Sequence, residues 1–439
     1  MKGTLLLIAF WIVAATAVRA DVTGAEIDAA VAALEPRVIE WRRDFHSHPE
    51  LGNREFRTSK IVARHLRSLG LEVRTGIAHT GVVALLRGSL PGPTIMLRAD
   101  MDALPVTERT DVPFRSTAMA EYRGRQVGVM HACGHDAHTA IMMGVAEVLA
   151  ALRERLPGIV MLVFQPAEEG VPEGEQGGAP LMIQEGLFET AKPAAIFGLH
   201  VISTLHAGTV GVRPGPFMAG SDFFRIQVTG RQSHGARPWA GVDPIATAAQ
   251  IVNSLQAIVS RQTDITAFPA VLSIGAINGG VRHNIIPDSV EMLGTLRTFT
   301  PALRQEIIDR MRRVVSNVAA ANGATATLEM MPDPNPVVDN DPALTQRVVA
   351  SLQAAFGAEA VRAIGLQTVA EDFSYYAGAA PSVYYWVGIT PPGQDLRTAP
   401  DNHSDRFFVD ESGLAVGLKS MLHVSVDYLQ GGALSKKSP

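Results

Sequence analysis

The chain of 439 residues contains a single cysteine, Cys133, so no disulfide can close within it. Aromatic residues make up only 6% of the composition and charged residues 18%, and no block of like charge occurs. The formal net charge is −5 and the isoelectric point is near 6.2, which lacks the basic excess typical of nucleic-acid binding; no nucleic-acid partner is expected. There is no internal repeat, and low complexity is confined to the polar tail Ser435-Lys436-Lys437-Ser438-Pro439. No stretch reaches the roughly 20 consecutive apolar residues that a bilayer span requires.

What is present points to a large globular chain. A hydrophobic content of 47% over this length supplies core for two or three domains. The N-terminus reads as a leader: Lys2 gives the positive start, Leu5 to Ala17 is apolar but too short to span, and Val18-Arg19-Ala20 precedes Asp21. Residues 1–20 are therefore expected to be a signal peptide, and the mature protein to be periplasmic or secreted and free of the membrane. Loss of Lys2 and Arg19 would take the formal charge from −5 to −7. In an oxidising compartment a lone thiol is buried, paired with another molecule, or bound to something. Its neighbours must decide.

Apolar spacing predicts helices over residues 23–48, ending at Pro49, and over residues 58–69, ending at Gly70. Strands are predicted at Leu71–Gly76, Val82–Arg87, Thr94–Ala99, Ile159–Gln165 and Ala194–Leu199, with a long helix over Ala137–Leu152. Continuous apolar strands alternating with helices imply an α/β domain whose sheet is covered on both faces. From Phe217 to Pro336 the order changes to strand (Phe223–Thr229), helix (Pro244–Arg261), strands (Val271–Gly275 and Ser289–Arg297), helix (Pro301–Ala321) and strand (Thr325–Met330). That β-α-β-β-α-β order is ferredoxin-like α+β. The proline-rich stretch from Met331 to Pro336 reads as a return linker. The expected plan is a catalytic domain in two parts, residues 21–216 and 337–439, interrupted by an inserted unit at 217–336.

Metal-binding residue types gather where the strands end. Thr94–Ala99 runs into Asp100-Met101-Asp102, Ile159–Gln165 into Pro166-Ala167-Glu168-Glu169, and Ala194–Leu199 into His200. Between them, at a helix start, lies His131-Ala132-Cys133-Gly134-His135-Asp136-Ala137-His138. Each piece alone has a bland reading: an incidental Cys-x-His, a solvated Glu-Glu turn, a core histidine. Together, at the carboxyl edge of an open sheet, they read as a metal centre. Thiolate, imidazole and carboxylate donors suit borderline and transition divalent ions rather than calcium or magnesium.

The motifs RRDFHSHPEL, RADMDALP, HACGHDAH, QPAEEG, GLH, RHNIIPD, GTLRTF and AEDFSYY resemble those of the aminoacylase and carboxypeptidase superfamily of di-metal hydrolases. They are closest to its amidohydrolase branch, which includes hippurate hydrolase and the indole-acetyl-amino acid hydrolases. The resemblance spans Val38 to the helix after Asp410. It implies a mixed-sheet catalytic domain with an inserted lid and dimerisation domain, hence a homodimer. It also implies two divalent ions per subunit, with Mn or Zn first and Co or Ni as alternatives. Their ligands would be Cys133, His135, Glu169, His200 and His403. In the exopeptidase branch a His-x-Asp pair stands where this chain has Asp100-Met101-Asp102. Glu168 becomes the general base, His234 the lid histidine that stabilises the oxyanion, and Asn284 and Arg297 the grip on a substrate carboxylate. Asp102 and Glu371 become groups that orient the ligands. His46, His48, His131 and His138 are read as structural.

The implied reaction is hydrolysis of an N-acyl or N-aroyl amino acid, a small-molecule substrate. Two departures bear on it: the loop Gly170–Gly178 is longer and more acidic than the family's glycine-rich loop, and export is unusual for this branch. A dipeptidase or carboxypeptidase would use the same site. A non-catalytic binding protein would be expected to lack the base, yet Glu168 and Glu169 are both present. A cysteine nucleophile would leave Glu168, Glu169 and His403 without a role, and no glycine-rich nucleotide loop is found in its required context.

Overall fold

The computed structural model describes residues 21–332 and 334–432; the leader and the polar tail lie outside them. The runs that are apolar at nearly every position become the middle of an eight-stranded mixed sheet. Its order is Glu72–Ile77, Gly81–Arg87, Pro157–Gln165, Leu90–Asp100, Ala195–His206, Ser382–Thr390, Val210–Val212 and Val361–Ala363. The four strands from Pro157–Gln165 to Ser382–Thr390 are parallel neighbours, and the first two form an antiparallel edge. Ser382–Thr390 is buried at all its positions, as a strand covered on both faces must be.

Helices Gly24–Ser47, His135–Leu152, Pro342–Phe356 and Ser412–Leu429 cover one face through a large apolar cluster. The other face packs Phe217, Phe373, Tyr376, Tyr384 and Trp386 under the short helix Gly178–Gln184 and the turn Asp372–Gly378. Local signals explain several starts. Thr23 and Glu26 cap the first helix reciprocally, and Asp243, Thr300 and Asp341 each cap a helix whose next residue is proline. No described helix is long and apolar enough to cross a membrane.

The chain leaves this body at Gly215–Met218 and returns at Val338–Asn340, and these two segments pair antiparallel. Between them lie Gly220–Thr229, Pro244–Gln262, Val271–Asn278, Ser289–Thr298, Pro301–Ala321 and Thr325–Met330. Their four strands form an antiparallel sheet in the order Val271–Asn278, Ser289–Thr298, Gly220–Thr229, Thr325–Met330. Two helices seal it with a core of its own that includes Phe224, Ile251, Leu255, Met292 and Met311. Val271–Asn278 is an edge strand, and its Ile277 is exposed.

Candidate metal centre

The parallel strands end on one side, and the helix His135–Leu152 begins there. Its preceding residue, Gly134, has φ +96°, and a Cβ there would lie 2.3 Å from Val201 Cγ2. Only glycine fits a left-handed residue so close to a neighbouring strand. That turn sets Cys133 and His135 on either side of it. Cys133 Sγ lies 3.3 Å from His200 Nε2 and 3.3 Å from His403 Nε2. His403 Nε2 is also 3.0 Å from Glu169 Oε1, and His135 Nε2 lies 4.0 Å from both Glu168 Oε2 and Glu169 Oε1. Ligand-bearing atoms of Cys133, His135 and His200 form one tight group, and those of Cys133, Glu169 and His403 another. Thus five residues expected as ligands converge from four segments, with Cys133 common to both groups.

The donor chemistry fits divalent cations. His135 Nε2 is buried with no hydrogen-bond partner. Burial raises the Cys133 thiol well above its usual range, and the carboxylates of Glu169 and Glu168 add to that. A thiol so placed ionises only if a cation compensates. Burial, then the neighbouring His138, keeps the His200 imidazole neutral and able to ligate. His135 behaves differently: burial opposes its charge, but Asp100 and Asp102 hold its pKa up at about 10. The carboxylates crowded here call for positive charge that a metal can supply.

A second ring of groups fixes the first. Asp102 accepts His135 Nδ1–H at 3.2 Å and the backbone N–H groups of Glu168 and Glu169 at 3.1 and 2.9 Å. Asp100 is taken by Arg98 and by His138, at 2.5 Å each. His138 Nε2 in turn accepts the Val201 N–H beside His200, so both of its ring nitrogens are engaged. Glu371 is held by Arg98 at 2.8 Å and by the Tyr384 hydroxyl at 2.7 Å. Burial raises the Glu168 carboxyl well above its usual range, with Glu371 and Glu169 reinforcing the effect. Burial works the same way on Glu169, but hydrogen bonding to His403 and the charge of His135 pull it below its usual value. The two adjacent glutamates thus have their pKa values pushed in opposite directions.

These groups floor a cavity of about 660 Å³. Its walls carry Met218, Phe223, Tyr375 and Trp386, part of the loop Gly170–Gly178, and Arg297 from the inserted unit. The Arg297 side chain forms no hydrogen bond or ion pair among the described residues, and burial lowers its pKa while Asp222 opposes the shift. The structure does not bring His234 or Asn284 to this cavity. They lie together on the inserted unit, where the Gly235 N–H donates to the Asn284 carbonyl at 2.8 Å. His234 is exposed, and its Nδ1 accepts the Ala236 N–H at 2.9 Å, which leaves the proton on Nε2. Of the remaining histidines read as structural, His46 bridges buried Asp136 and Glu108, His131 is buried, and His48 is half-exposed against Asp44.

Several residues that shape the site were assigned no role from the sequence. Asn402 donates to the Cys133 and Val201 carbonyls at 3.1 and 3.2 Å, tying the His403 loop to two ligand segments. His403 itself adopts φ +71°. Arg98, Gln165 and Asp372 form a buried network beneath Glu371. Arg98, Gln165 and Asp372 stand inside the motifs RADMDALP, QPAEEG and AEDFSYY, but residue type and spacing gave them no role.

Comparison with known proteins bears on the chemistry. The profile of peptidase family M20/M25/M40 matches residues 96–426. A thermostable carboxypeptidase of Saccharolobus solfataricus is 40% identical over 388 residues, covering 88% of this chain and 93% of that protein. N-acetylcysteine deacetylase of Bacillus subtilis is 37% identical over 406 residues, covering 91% and 98%. Among solved structures, a dinuclear metal-binding peptidase of the M20 family from Bacillus subtilis superposes with a TM-score of 0.75 at 35% identity, covering 91% of this chain and 99% of that one. With its thiol, imidazole and carboxylate donors converging beneath a substrate-sized cavity, the chain belongs to peptidase family M20/M25/M40 and is a metal-dependent amidohydrolase.

Proposed function

We propose that the enzyme hydrolyses the amide bond of N-acyl and N-aroyl amino acids, releasing a carboxylic acid and an amino acid. The observation that carries this reading is Arg297, a guanidinium without an ion partner among the described residues, in the wall of the cavity floored by the ligand cluster. A guanidinium fork suits a substrate carboxylate. The deacetylase relative, named for an N-acyl amino acid, supports the same class.

Cys133, His135, Glu169, His200 and His403 would hold two divalent cations, with the Cys133 sulfur shared between the two donor groups. The donors suit manganese or zinc, with cobalt or nickel as alternatives. When bound, such cations supply Lewis acidity and lower the pKa of a water. Glu168 takes a proton from the attacking water and later gives it to the nitrogen of the leaving amine. Asp102 holds His135 and the Glu168–Glu169 backbone in place, and Glu371 steadies the carboxylate wall behind Glu168. His234, with its proton on Nε2, would donate to the oxyanion. Since it lies away from its own chain's cavity, the partner of a homodimer joined through the inserted unit would supply it, with Asn284 alongside Arg297 at the carboxylate.

The decisive test is Glu168→Gln on a panel of N-acetyl, N-benzoyl and indole-acetyl amino acids and dipeptides, assayed after chelation and metal readdition. The variant should bind metal and lose turnover; substantial residual turnover would remove Glu168 as the base. A carboxypeptidase reading has its own support in the Saccharolobus relative. Activity confined to peptides with a free C-terminal carboxylate would favour it. Mixing Glu168→Gln with His234→Ala subunits should restore part of the activity if the histidine acts across a dimer. Export is proposed from the leader, and Asp21 as the first residue of the isolated protein would support it.

A further inference from the structure

Behind the glutamate pair lies another buried carboxyl that the ligand set does not use. Glu55 is 0% exposed and makes no capping bond to the helix Phe56–Ser68 that it precedes. Its Oε1 instead accepts the Ala167 N–H at 2.9 Å, and its Oε2 accepts the Thr80 hydroxyl at 2.5 Å. Ala167 has φ +53°, a left-handed conformation that an alanine adopts only under constraint. The turn Pro166-Ala167-Glu168-Glu169 therefore hands three successive amides to two carboxyl groups: Ala167 to Glu55, and Glu168 and Glu169 to Asp102. Gly52 packs against the same turn so closely that a Cβ there would lie 2.3 Å from the Gly170 carbonyl oxygen.

The geometry points to Glu55 as a positioning residue of the hydrolytic site: by holding the Ala167 amide it fixes the left-handed turn that aims Glu168 and Glu169 to different sides. This rests on the assignment of Glu168 as base and Glu169 as ligand. A buried carboxyl is costly wherever an apolar side chain would fill the space, and here its partners are Thr80 and the backbone of the base's own turn. Burial, with the Asp102 charge added, raises its pKa to about 8, so near neutral pH an amide of the same shape can stand in for it.

The test uses the full chain with metal at saturation. Glu55→Gln keeps an acceptor for Ala167 and should hold kcat within about threefold of the parent. Glu55→Met leaves that amide without a partner and should lower kcat about 100-fold, with KM nearly unchanged. Calorimetric titration of Mn²⁺ or Zn²⁺ into the metal-free protein should show affinity falling about 10-fold, because Glu169 shares the turn. The pH profile of kcat should shift in Glu55→Met. A merely structural role would lower the melting temperature but leave kcat per loaded site, and its pH profile, unmoved. Thr80→Val should change kcat in the same direction by a smaller factor. A folded, loaded Glu55→Met enzyme with parental kcat and metal affinity would overturn the proposal. Should that variant not fold, parental kcat and pH profile in Thr80→Val would do so. Glu168→Gln run in parallel separates the two readings. If it stays active the base assignment fails, whereas its inactivity beside a fully active Glu55→Met sinks only the positioning role.

Discussion

Replacing Arg297 by methionine keeps much of the side chain's length and removes its charge. Arg297 lies on Ser289–Thr298, opposite Ser221 on one neighbouring strand and Val271 on the other, and reaches the cavity wall. Asp222, whose charge acts on it, is already engaged by Arg304 at 2.6 to 3.0 Å. The guanidinium is therefore available to a substrate carboxylate. A hydrogen bond to a charged group contributes about 1.5–3 kcal/mol, equivalent to about 10- to 150-fold in kcat/KM. The carboxylate keeps its charge between ground and transition states, so the loss should fall on KM and spare kcat. The assay compares an N-acyl amino acid with its carboxamide in both enzymes. The parent should favour the acid by roughly that factor, and Arg297→Met should lose the preference. An unchanged acid-to-amide ratio in the variant would refute the assignment.

Further outcomes follow from the same geometry. Cys133→Ala removes the sulfur 3.3 Å from both His200 and His403, so bound metal measured by elemental analysis should fall below the parental content and activity should be lost. Gly134→Ala forces a methyl into a left-handed residue against Val201. It should cost at least about 1–2 kcal/mol in urea unfolding. Glu175 pins the acidic loop through Arg54 and Asn53, so Glu175→Ala should raise KM while kcat holds; an unmoved KM would exclude the loop from substrate contact. Burial lowers the imidazole pKa of His65 and of His423 in the fold. As pH falls below the ordinary imidazole value of about 6.5, the unfolded chain takes up these protons first, so stability is lost on acidification. Unfolding midpoints at about pH 7.5 and about pH 5.5 should differ less in His423→Gln than in the parent.

The plan of the fold was legible because its signals are local. Strand runs such as Ile159–Phe164 are apolar without interruption, and Pro244, Pro301 and Pro342 stand directly after capping residues. The ferredoxin-like order of the middle segment could be read from periodicity alone, and its four strands pair in one sheet. The later elements carried weaker local signals. Ser382–Thr390 mixes aromatic and aliphatic residues after Ala379-Ala380-Pro381, and it gains its place by pairing in parallel with Ala195–His206. Gly178–Gln184 is too short for helical periodicity to register.

The site divides along the same line. Cys133, His135, Glu169 and His200 announce themselves because the strand ends and helix start predicted from the sequence gather at one sheet edge, although in the fold His200 lies within the longer strand Ala195–His206 and not after its end. His403 does not: more than two hundred residues of chain separate it from His200, and the carbonyl of Ala132, which accepts its N–H at 2.8 Å, brings it in. The choice of Glu168 over Glu169 as base came from the resemblance and not from residue type, since neighbouring residues of one type look alike. After folding the two meet different groups: His403 for Glu169, and the buried Glu371 and Asp372 for Glu168. The turn between the sheet and these two side chains thus carries the chemical distinction. A site of this kind is specified twice, once by residue types that the sequence displays and once by backbone geometry that only distant segments, such as Glu55 and Asp102, can impose.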